Sequence, residues 1–509
     1  MSNNQLNRRD FLKLLGLASA TIAVKPLATI ESSSGQPQPH MIVLVYDAWA
    51  ARNTSLYGYP RTTMPHLEKY AERALVYHRH YSAGNFTVPG TASLLTGLYP
   101  WNHRAFSLGG RISNKYKENQ IFNVFSGQYQ TTGFAQNKYA DLFLYQAGSS
   151  LQNHISNHEF NLERRLIYNL PFFNNDPYVA FSSFEDNIFQ KGYGLDGSLF
   201  AGPIFRTWTI RERFINKTEY SGKYYNETLP DSTEQFLLSD TVDGAINILK
   251  SLDKPSLVYI HFFPPHDPYR PTYEFKDYFA KTPETLVKKP VHYLSDEKNS
   301  YGLLLSRNQT YDEYLATWDA EVSRLYQFID QSGFRDKSYI FLTSDHGEMF
   351  ERGEVSHMTP LLNQPIVHIP LVVSYPGIEK RKDIFSTTSA VDILPTLAHL
   401  SGIPKPEWAE GEVLPGLGGQ DNKNRAVYSF EAKKNPSFAP LKKFSLSLTR
   451  ENKRILFYQY NNKQSIELYD LDQDPEEIND LNSKAPEWGK ELNQELLNKV
   501  SEITSSKGN

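Results

Sequence analysis

The sequence predicts an α/β fold, a sandwich with a largely parallel central sheet and a small C-terminal subdomain of sheet and helix. Short apolar runs that end in polar residues recur along the chain, at 41–46, 256–260, 339–342 and 370–374. Continuous runs of this kind are typical of strands buried on both faces of a sheet. Helical patterns lie between them, the clearest being an apolar stripe of Leu315, Trp318, Val322, Leu325, Phe328 and Ile329. This alternation favours a parallel sheet covered by helices.

The length of 509 residues allows one large catalytic domain and one smaller domain. We expect a signal and linker at 1–39, a catalytic domain at 40–420 and a C-terminal subdomain at 421–509, where alternating strands precede a helix. Residues 150–235 are rich in Asn, Phe, Tyr and Ser and show little periodicity. This divergent insertion either shapes the substrate cleft or faces solvent without a role in binding.

The N-terminus resembles an export signal. Arg8 and Arg9 form a twin-arginine pair, and a short apolar stretch follows at 14–24. Such a stretch is too short for a membrane span, and a polar linker at 32–39 separates it from the fold. We therefore expect export by the twin-arginine machinery to the periplasm or the cell surface.

Composition excludes several classes of function. The formal net charge of −4 gives no electrostatic reason to expect nucleic acid as a partner. Cysteine is absent, which excludes disulfides, thiolate metal sites, iron–sulfur clusters and a cysteine nucleophile.

Acidic residues and histidines follow two of the apolar runs. Asp47 comes directly after 41–46, and Asp345 and His346 come shortly after 339–342. In open α/β sheets ligands collect beyond the carboxyl ends of the strands, where these side chains would meet. Two carboxylates and an imidazole suit one divalent ion, Mn²⁺, Zn²⁺ or Mg²⁺, and Ca²⁺ less well. His261 lies inside a strand run and is expected to be structural.

The segment 85–97 predicts the N-terminus of a helix. Thr87 is a good N-cap residue and Pro89 suits a first helical turn. Such a helix would direct free N–H groups and the positive end of its dipole at whatever lies beside Thr87. From the residues alone, Thr87 is either a plain N-cap or a functional hydroxyl.

Several motifs occur in a fixed order between about 40 and 480. They are Asp47–Tyr59, Thr63-Met-Pro-His-Leu67, Thr87-x-Pro89-x-x-x-Ser93-Leu-Leu-Thr-Gly97, Pro265-His266-Asp-Pro268, Ser344-Asp-His-Gly-Glu348 with His357, Val391–Thr396 and Glu467–Glu476. Together they resemble the sulfatase family of the alkaline-phosphatase superfamily. The resemblance implies an alkaline-phosphatase-like sandwich, one divalent metal ion and ester chemistry.

Three positions depart from the sulfatase pattern. A sulfatase converts Cys or Ser to formylglycine where this chain has Thr87, and threonine cannot yield an aldehyde because its Cβ carries a methyl group. Thr91 stands where sulfatases place an arginine, and Ala48 where many place a second metal-binding aspartate. The pattern is similar to the threonine-nucleophile branch of the superfamily, which includes phosphoethanolamine transferases, lipoteichoic acid synthases and phosphodiesterases.

The resemblance implies a role for each matching residue. Asp47, Thr87, Asp345 and His346 would hold the metal ion, and Thr87 would be the nucleophile. His266 and His357 would contact the non-bridging oxygens or protonate the leaving group. Asn137 and Lys138 lie near the place of the family's substrate-binding pair.

The implied activity is hydrolysis or transfer of a phospho- or sulfate ester carried by a small molecule, a glycan or a lipid headgroup. Two alternatives stay open. One is a sulfuric ester hydrolase that works without formylglycine, and the other is an inactive family member that binds an anionic glycan or lipid headgroup.

Overall fold

Eight strands form one sheet in the part of the chain that the computed structural model describes, residues 38–160, 236–436, 439–460 and 463–505. In spatial order they are β11 (Lys382–Ile384), β2 (Leu75–Tyr77), β10 (Leu371–Ser374), β7 (Ser338–Thr343), β1 (His40–Tyr46), β6 (Ser256–Phe262), β4 (Gln130–Ala135) and β5 (Asn153–Ile155). Strand β10 is antiparallel to both of its neighbours, and every other neighbouring pair is parallel. The predicted α/β class and largely parallel sheet are confirmed.

Helices cover this sheet. Those described are α1 (Pro65–Ala71), α2 (Thr87–Thr96), α3 (Pro100–His103), α4 (Ile121–Phe125), α5 (Lys138–Ala147), α6 (Leu238–Lys250), α7 (Tyr301–Gln331), α8 (Gln364–Val367), α9 (Ile393–Leu400) and α10 (Glu487–Ser505). The predicted apolar stripe lies on α7 and is buried, except that Phe328 is only half-buried.

Both faces of the sheet are buried, because alternate residues of β1 point to opposite sides. Ile42 and Leu44 belong to one core together with Trp318 of α7. Met41 and Val43 belong to a second core, which includes residues of α2, α4, α5 and α9. The continuous apolar run of β1 therefore reflects a strand with a core on each side.

A four-stranded antiparallel sheet follows near the C-terminus. Its strands are β13 (Val427–Glu431), β14 (Phe444–Arg450), β15 (Lys453–Tyr460) and β16 (Lys463–Asp470). Two strand pairs complete the described set, β3 (His80–Tyr81) with β12 (Thr388–Ser389) and β8 (Phe350–Glu351) with β9 (Glu354–Val355). The predicted C-terminal sheet is confirmed, and it gains β16, which the sequence did not predict as a strand.

The C-terminal sheet packs against the segment that precedes α2. The backbone N–H of Phe430 donates to the carbonyl oxygen of Ala83 at 2.9 Å, and the Ser429 hydroxyl donates to the carbonyl oxygen of Ser82 at 2.6 Å. Phe430 shares a core with Trp101 of α3. The C-terminal sheet thereby supports the chain directly before the helix that begins at Thr87.

A buried ion pair beside this sheet also contacts the segment that precedes α8. Nη1 of Arg454 on β15 lies 2.9 Å from Oε1 of Glu477, and both residues are fully buried. The other oxygen of Glu477 accepts from the side-chain amide of Asn363 at 3.0 Å, next to α8. The carboxylate is therefore held by groups from both parts of the fold.

We expect Arg454→Met to lower the free energy of unfolding by about 3–5 kcal/mol, because the change leaves a carboxylate buried without its charge partner. Urea denaturation of both proteins measures the difference. Lys490→Met is the control, since Lys490 forms an exposed pair within α10 and its loss should change stability by less than about 1 kcal/mol. Equal effects of the two substitutions would contradict the expectation.

Two of the predicted regions fall largely or wholly outside the described residues. Nearly all of the signal and linker, at 1–39, and most of the insertion at 150–235 lie there. Among the described helices, none combines the length and the apolar character that crossing a bilayer requires.

Candidate active site

The ends of two central strands and the start of α2 bring four predicted residues together. Asp47 follows β1, and Asp345 and His346 follow the neighbouring β7. Nε2 of His346 lies 3.3 Å from Oδ1 of Asp47 and 3.6 Å from Oδ2 of Asp345. The same nitrogen lies 3.5 Å from Oγ1 of Thr87, the first residue of α2.

Each of the two carboxylates has one oxygen that accepts hydrogen bonds and one that is unpaired. Oδ2 of Asp47 accepts from the side-chain amide of Asn137 at 2.6 Å, and Oδ1 of Asp345 accepts from the backbone N–H of His346 at 2.9 Å. Oδ1 of Asp47 and Oδ2 of Asp345 have no hydrogen-bond partner in the described structure, although both residues are fully buried. Buried, unpaired carboxylate oxygens are costly without a cation, and these two fit a divalent ion.

The hydroxyl of Thr87 is not used to cap its own helix. The N-cap of α2 is Phe86, one residue before the expected position, so Thr87 lies inside the first turn. Its Oγ1 faces the site and accepts from the side-chain amide of Asn137 at 3.3 Å. The free N–H groups of that first turn make its surroundings favourable for an anion.

Asn137 is fixed by its own helix. As the N-cap of α5 it accepts, through its side-chain oxygen, the backbone N–H of Tyr139 at 2.9 Å. This contact orients the amide nitrogen, which then donates to both Asp47 and Thr87. The structure thus brings Asn137 into the site, and Lys138 follows it as a buried residue at the start of α5.

Ala48 serves the site through its backbone. It adopts a left-handed conformation with φ of 59°, which costs roughly 1–2 kcal/mol for a residue with a Cβ. Its N–H points at Oδ1 of Asp345 at 3.4 Å, and its carbonyl oxygen accepts from the Tyr311 hydroxyl at 2.7 Å. At the place of the family's second aspartate, this chain therefore supplies a backbone N–H to Asp345. Thr91, the other departure, is buried in α2.

Three imidazoles lie side by side above the carboxylates. The ring centroids of His346 and His357 are 4.3 Å apart, and those of His357 and His266 are 4.8 Å apart. Nδ1 of His357 lies 3.1 Å from Oε1 of the buried Glu348, and Nδ1 of His266 lies 2.5 Å from the carbonyl oxygen of Asp267. Both predicted catalytic histidines thus have Nδ1 engaged, which leaves Nε2 for a ligand.

The surroundings shift the pKa values of His357 and His346 in opposite directions. Burial and the neighbouring charges of His346 and His266 hold the pKa of His357 well below its usual range. Burial also lowers the pKa of His346, but the charges of Asp345 and Asp47 outweigh it and raise that pKa to about 9. A cation that binds Nε2 of His346 therefore competes with a proton for the same atom.

His261 belongs to the site, although sequence reasoning assigned it a structural role. Its Nε2 lies 3.2 Å from Oδ2 of Asp47 and 3.7 Å from Oδ2 of Asp345. One ligand atom from each of these three buried residues lies within 4.8 Å of the others. The available signal was a polar residue at the carboxyl end of an apolar strand, and β6 pairs with β1 so that His261 is opposite Val45.

Gly90 lets α2 approach the end of β7. A Cβ at this position would lie 2.2 Å from the backbone oxygen of Asp345. We expect Gly90→Ala to lower stability by about 1–3 kcal/mol and to reduce activity, because Thr87 must move away from Asp345. Denaturation and a kinetic assay check this. Gly302→Ala is the control, since no atom lies within 4 Å of the added carbon and α7 should lose no stability.

Comparison with protein families identifies the group to which the chain belongs. A family model described as Sulfatase matches residues 39–403, and one described as N-sulphoglucosamine sulphohydrolase, C-terminal, matches residues 359–506. An ulvan-active sulfatase of Formosa agariphila is 23% identical over 403 residues, which cover 76% of this chain and 66% of that protein. The chain spans 33% to 66% of the length of the first curated relatives that it matches.

Solved structures share the fold. The phosphonate monoester hydrolase of Agrobacterium radiobacter matches with a TM-score of 0.65 and 18% identity, over 92% of this chain and 96% of that one. A protein solved in complex with its substrate D-glucosamine-2-N,6-O-disulfate matches with a TM-score of 0.62 and 16% identity, over 92% and 98%. These likenesses confirm the alkaline-phosphatase-like sandwich, and the first family model covers well over half of the chain. The chain therefore belongs to the sulfatase family, a family of ester hydrolases.

Proposed function

We propose that this chain is an exported, metal-dependent enzyme that cleaves a phospho- or sulfate ester through a covalent intermediate on Thr87. The observation that carries the proposal is the position of the Thr87 hydroxyl. It lies 3.5 Å from Nε2 of His346, at the N-terminus of α2 and beside two carboxylates that each have an unpaired oxygen. The twin-arginine pair at 8–9 supports export.

The donor set fits one divalent ion. Asp47, Thr87, Asp345 and His346 would hold it through two carboxylates, a hydroxyl and an imidazole, a set suited to Mn²⁺, Zn²⁺ or Mg²⁺ and less well to Ca²⁺. A bound ion supplies positive charge that lowers the pKa of the threonine hydroxyl and offsets negative charge on the substrate.

The first chemical step transfers the acid group to Thr87. Oγ of Thr87 releases its proton to water and forms a bond to phosphorus or sulfur, while the bond from that atom to the ester oxygen breaks. The departing oxygen takes up a proton and leaves as an alcohol. Backbone N–H groups in the first turn of α2 would donate to the non-bridging oxygens and stabilise their negative charge.

The second step releases the acid group. Water, or an acceptor alcohol in a transfer reaction, attacks the threonine ester, the Oγ bond breaks and the hydroxyl is restored. His357 and His266 would serve both steps through Nε2, by donating to a non-bridging oxygen or by moving the proton of the leaving group. Glu348 would hold His357 in the required orientation through Nδ1.

Chemistry favours a phospho-ester, whereas family membership also supports a sulfate ester. Threonine cannot become formylglycine, so Thr87 would have to act as an alkoxide, as in the threonine-nucleophile branch that the motifs resemble. The second candidate is hydrolysis of a sulfate ester on a glycan. Two comparisons support it: a relative is named as an ulvan-active sulfatase, and a structural neighbour was solved with a disulfated glucosamine.

A panel of model substrates tests the proposal. We would load the purified protein with Mn²⁺ or Zn²⁺ and assay p-nitrophenyl sulfate, p-nitrophenyl phosphate, bis-p-nitrophenyl phosphate and a phenylphosphonate monoester. We expect turnover of at least one phospho-substrate. Turnover of the sulfate alone would favour the sulfuric ester hydrolase. A protein that binds no metal and turns over none of them would be an inactive family member.

A further inference from the structure

His261 is fully buried beside the candidate metal centre but takes no part in the proposed reaction. Its Nε2 and the side-chain nitrogen of Asn137 both approach Oδ2 of Asp47, at 3.2 Å and 2.6 Å. That oxygen therefore has two potential donors, while Oδ1 of the same carboxylate accepts no hydrogen bond and lies 3.3 Å from Nε2 of His346. His261 thus approaches Oδ2 of Asp47, which Asn137 already holds, and not Oδ1, which stays free.

The partners of the two ring nitrogens of His261 indicate which nitrogen carries the proton. Nδ1 of His261 lies 2.9 Å from the hydroxyl of Tyr259, which is two residues away on β6 and fully buried. Nε2 faces carboxylate oxygens of Asp47 and Asp345, which only accept hydrogen bonds. Nε2–H is therefore the donor, and the Tyr259 hydroxyl donates to Nδ1.

His346 shows the opposite arrangement. Its Nδ1 lies 2.8 Å from the carbonyl oxygen of Gly347, an obligate acceptor, so Nδ1 carries a proton. Nε2 of His346 is then the nitrogen whose lone pair is available to a cation. The Gly347 carbonyl requires a proton on Nδ1 of His346, whereas the Tyr259 hydroxyl can donate to Nδ1 of His261 and so allows the proton to lie on Nε2. This difference separates the two histidines into a metal ligand, His346, and a donor to a ligand, His261.

We propose that His261 is a positioning residue that, with Tyr259 behind it, holds the carboxylate of Asp47 so that Oδ1 stays free for the metal ion. This inference rests on the metal centre of the proposed function. The carboxylate of Asp345 also has one oxygen held and one free, but backbone groups hold it. The N–H groups of His346 and Ala48 face its Oδ1 and leave Oδ2 unpaired.

Metal affinity tests the role of the hydrogen bond. We would titrate Zn²⁺ against a chelator in the wild type, His261→Leu, His261→Gln and Tyr259→Phe. Loss of a group that orients a ligand costs about 10- to 100-fold in metal affinity, which we expect for His261→Leu. Glutamine retains an N–H at a similar distance from the backbone, so His261→Gln should recover most of the affinity, and Tyr259→Phe should fall between the two.

The control is His78→Gln. Nε2 of His78 lies 2.7 Å from Oδ1 of Asp383 in a partly exposed pair, and the contacts described for His78 involve none of the candidate metal ligands. This substitution should leave the affinity unchanged. A wild-type affinity in His261→Leu would overturn the inference, as would an equal loss in His261→Leu and His261→Gln.

Spectroscopy separates a positioning residue from a ligand. The electron spin echo modulation of bound Mn²⁺ reports coordinated imidazole nitrogens, and we expect one imidazole in the wild type and in His261→Gln. Two imidazoles in the wild type and one in the variant would make His261 a ligand and overturn the inference.

A readout without metal keeps this inference separate from the proposed function. In metal-free protein labelled with ¹⁵N-histidine, we expect the His261 resonances to show a proton on Nε2 and none on Nδ1. That result would support the hydrogen-bond assignment whether or not the wild type binds metal. A wild type that bound no metal would refute the metal centre of the proposed function but not this assignment. A proton on Nδ1 alone would overturn the inference in either case.

Discussion

Thr87→Ala is expected to lower kcat roughly 10⁴- to 10⁶-fold, because removing a nucleophile costs an enzyme most of its covalent catalysis. Thr87→Ser should retain far more activity, since it keeps an Oγ at the start of α2 and removes only a methyl group. Steady-state kinetics on the best substrate of the panel measures both variants.

The control for this comparison is Thr96→Ala at the other end of the same helix. The Thr96 hydroxyl donates to the carbonyl oxygen of Ala92 at 2.7 Å and does not face the site. Loss of this hydroxyl should affect the free energy of unfolding and leave kcat nearly unchanged. If Thr87→Ala turned over substrate as fast as Thr96→Ala, the hydroxyl of Thr87 would not be the nucleophile.

Asp345→Ala is expected to lower metal affinity by more than about 100-fold. Removing a group that only orients a ligand costs up to about 100-fold, and removing a ligand itself should cost more. The change removes the unpaired Oδ2 and also the oxygen that receives the His346 backbone N–H. Metal content after gel filtration, a chelator titration and the substrate assay together check the result, and activity should fall in parallel with bound metal.

Asp319→Asn provides the matched control for a buried aspartate. Asp319 accepts the backbone N–H groups of His66 and Leu67 at the start of α1, so its replacement should cost stability without loss of metal. Retention of metal by Asp345→Ala would contradict the assignment of this carboxylate as a ligand.

The central part of the fold was predictable because β1, β6, β7 and β10 are buried on both faces and read as continuous apolar runs. The edges of the sheet were not. Strand β4 has the sequence Gln-Thr-Thr-Gly-Phe-Ala, which lacks an apolar run, and β2 and β11 have only three residues each. Their strand conformation depends on pairing with neighbours, which local sequence does not encode.

The candidate site also has a part that the sequence predicts and a part that it does not. Asp47, Asp345 and His346 were predictable as a group because the carboxyl ends of parallel strands meet at one edge. The contributions of His261, Asn137 and the Ala48 backbone depend on which nitrogen or N–H faces which oxygen. Such contacts are set by the tertiary packing of β6, α5 and β1. The sequence therefore indicated only that His261 ends an apolar strand and that Asn137 lies near the family's substrate-binding pair, and it did not indicate which atoms they contact.

The stereochemical course of the reaction tests the central claim most directly. We would hydrolyse a phosphorothioate diester of known configuration at phosphorus in water enriched in ¹⁸O and determine the configuration of the product. Two successive displacements, the first by Thr87 and the second by water, predict net retention. Net inversion would mean that water attacks the substrate directly, and it would contradict a covalent intermediate on Thr87.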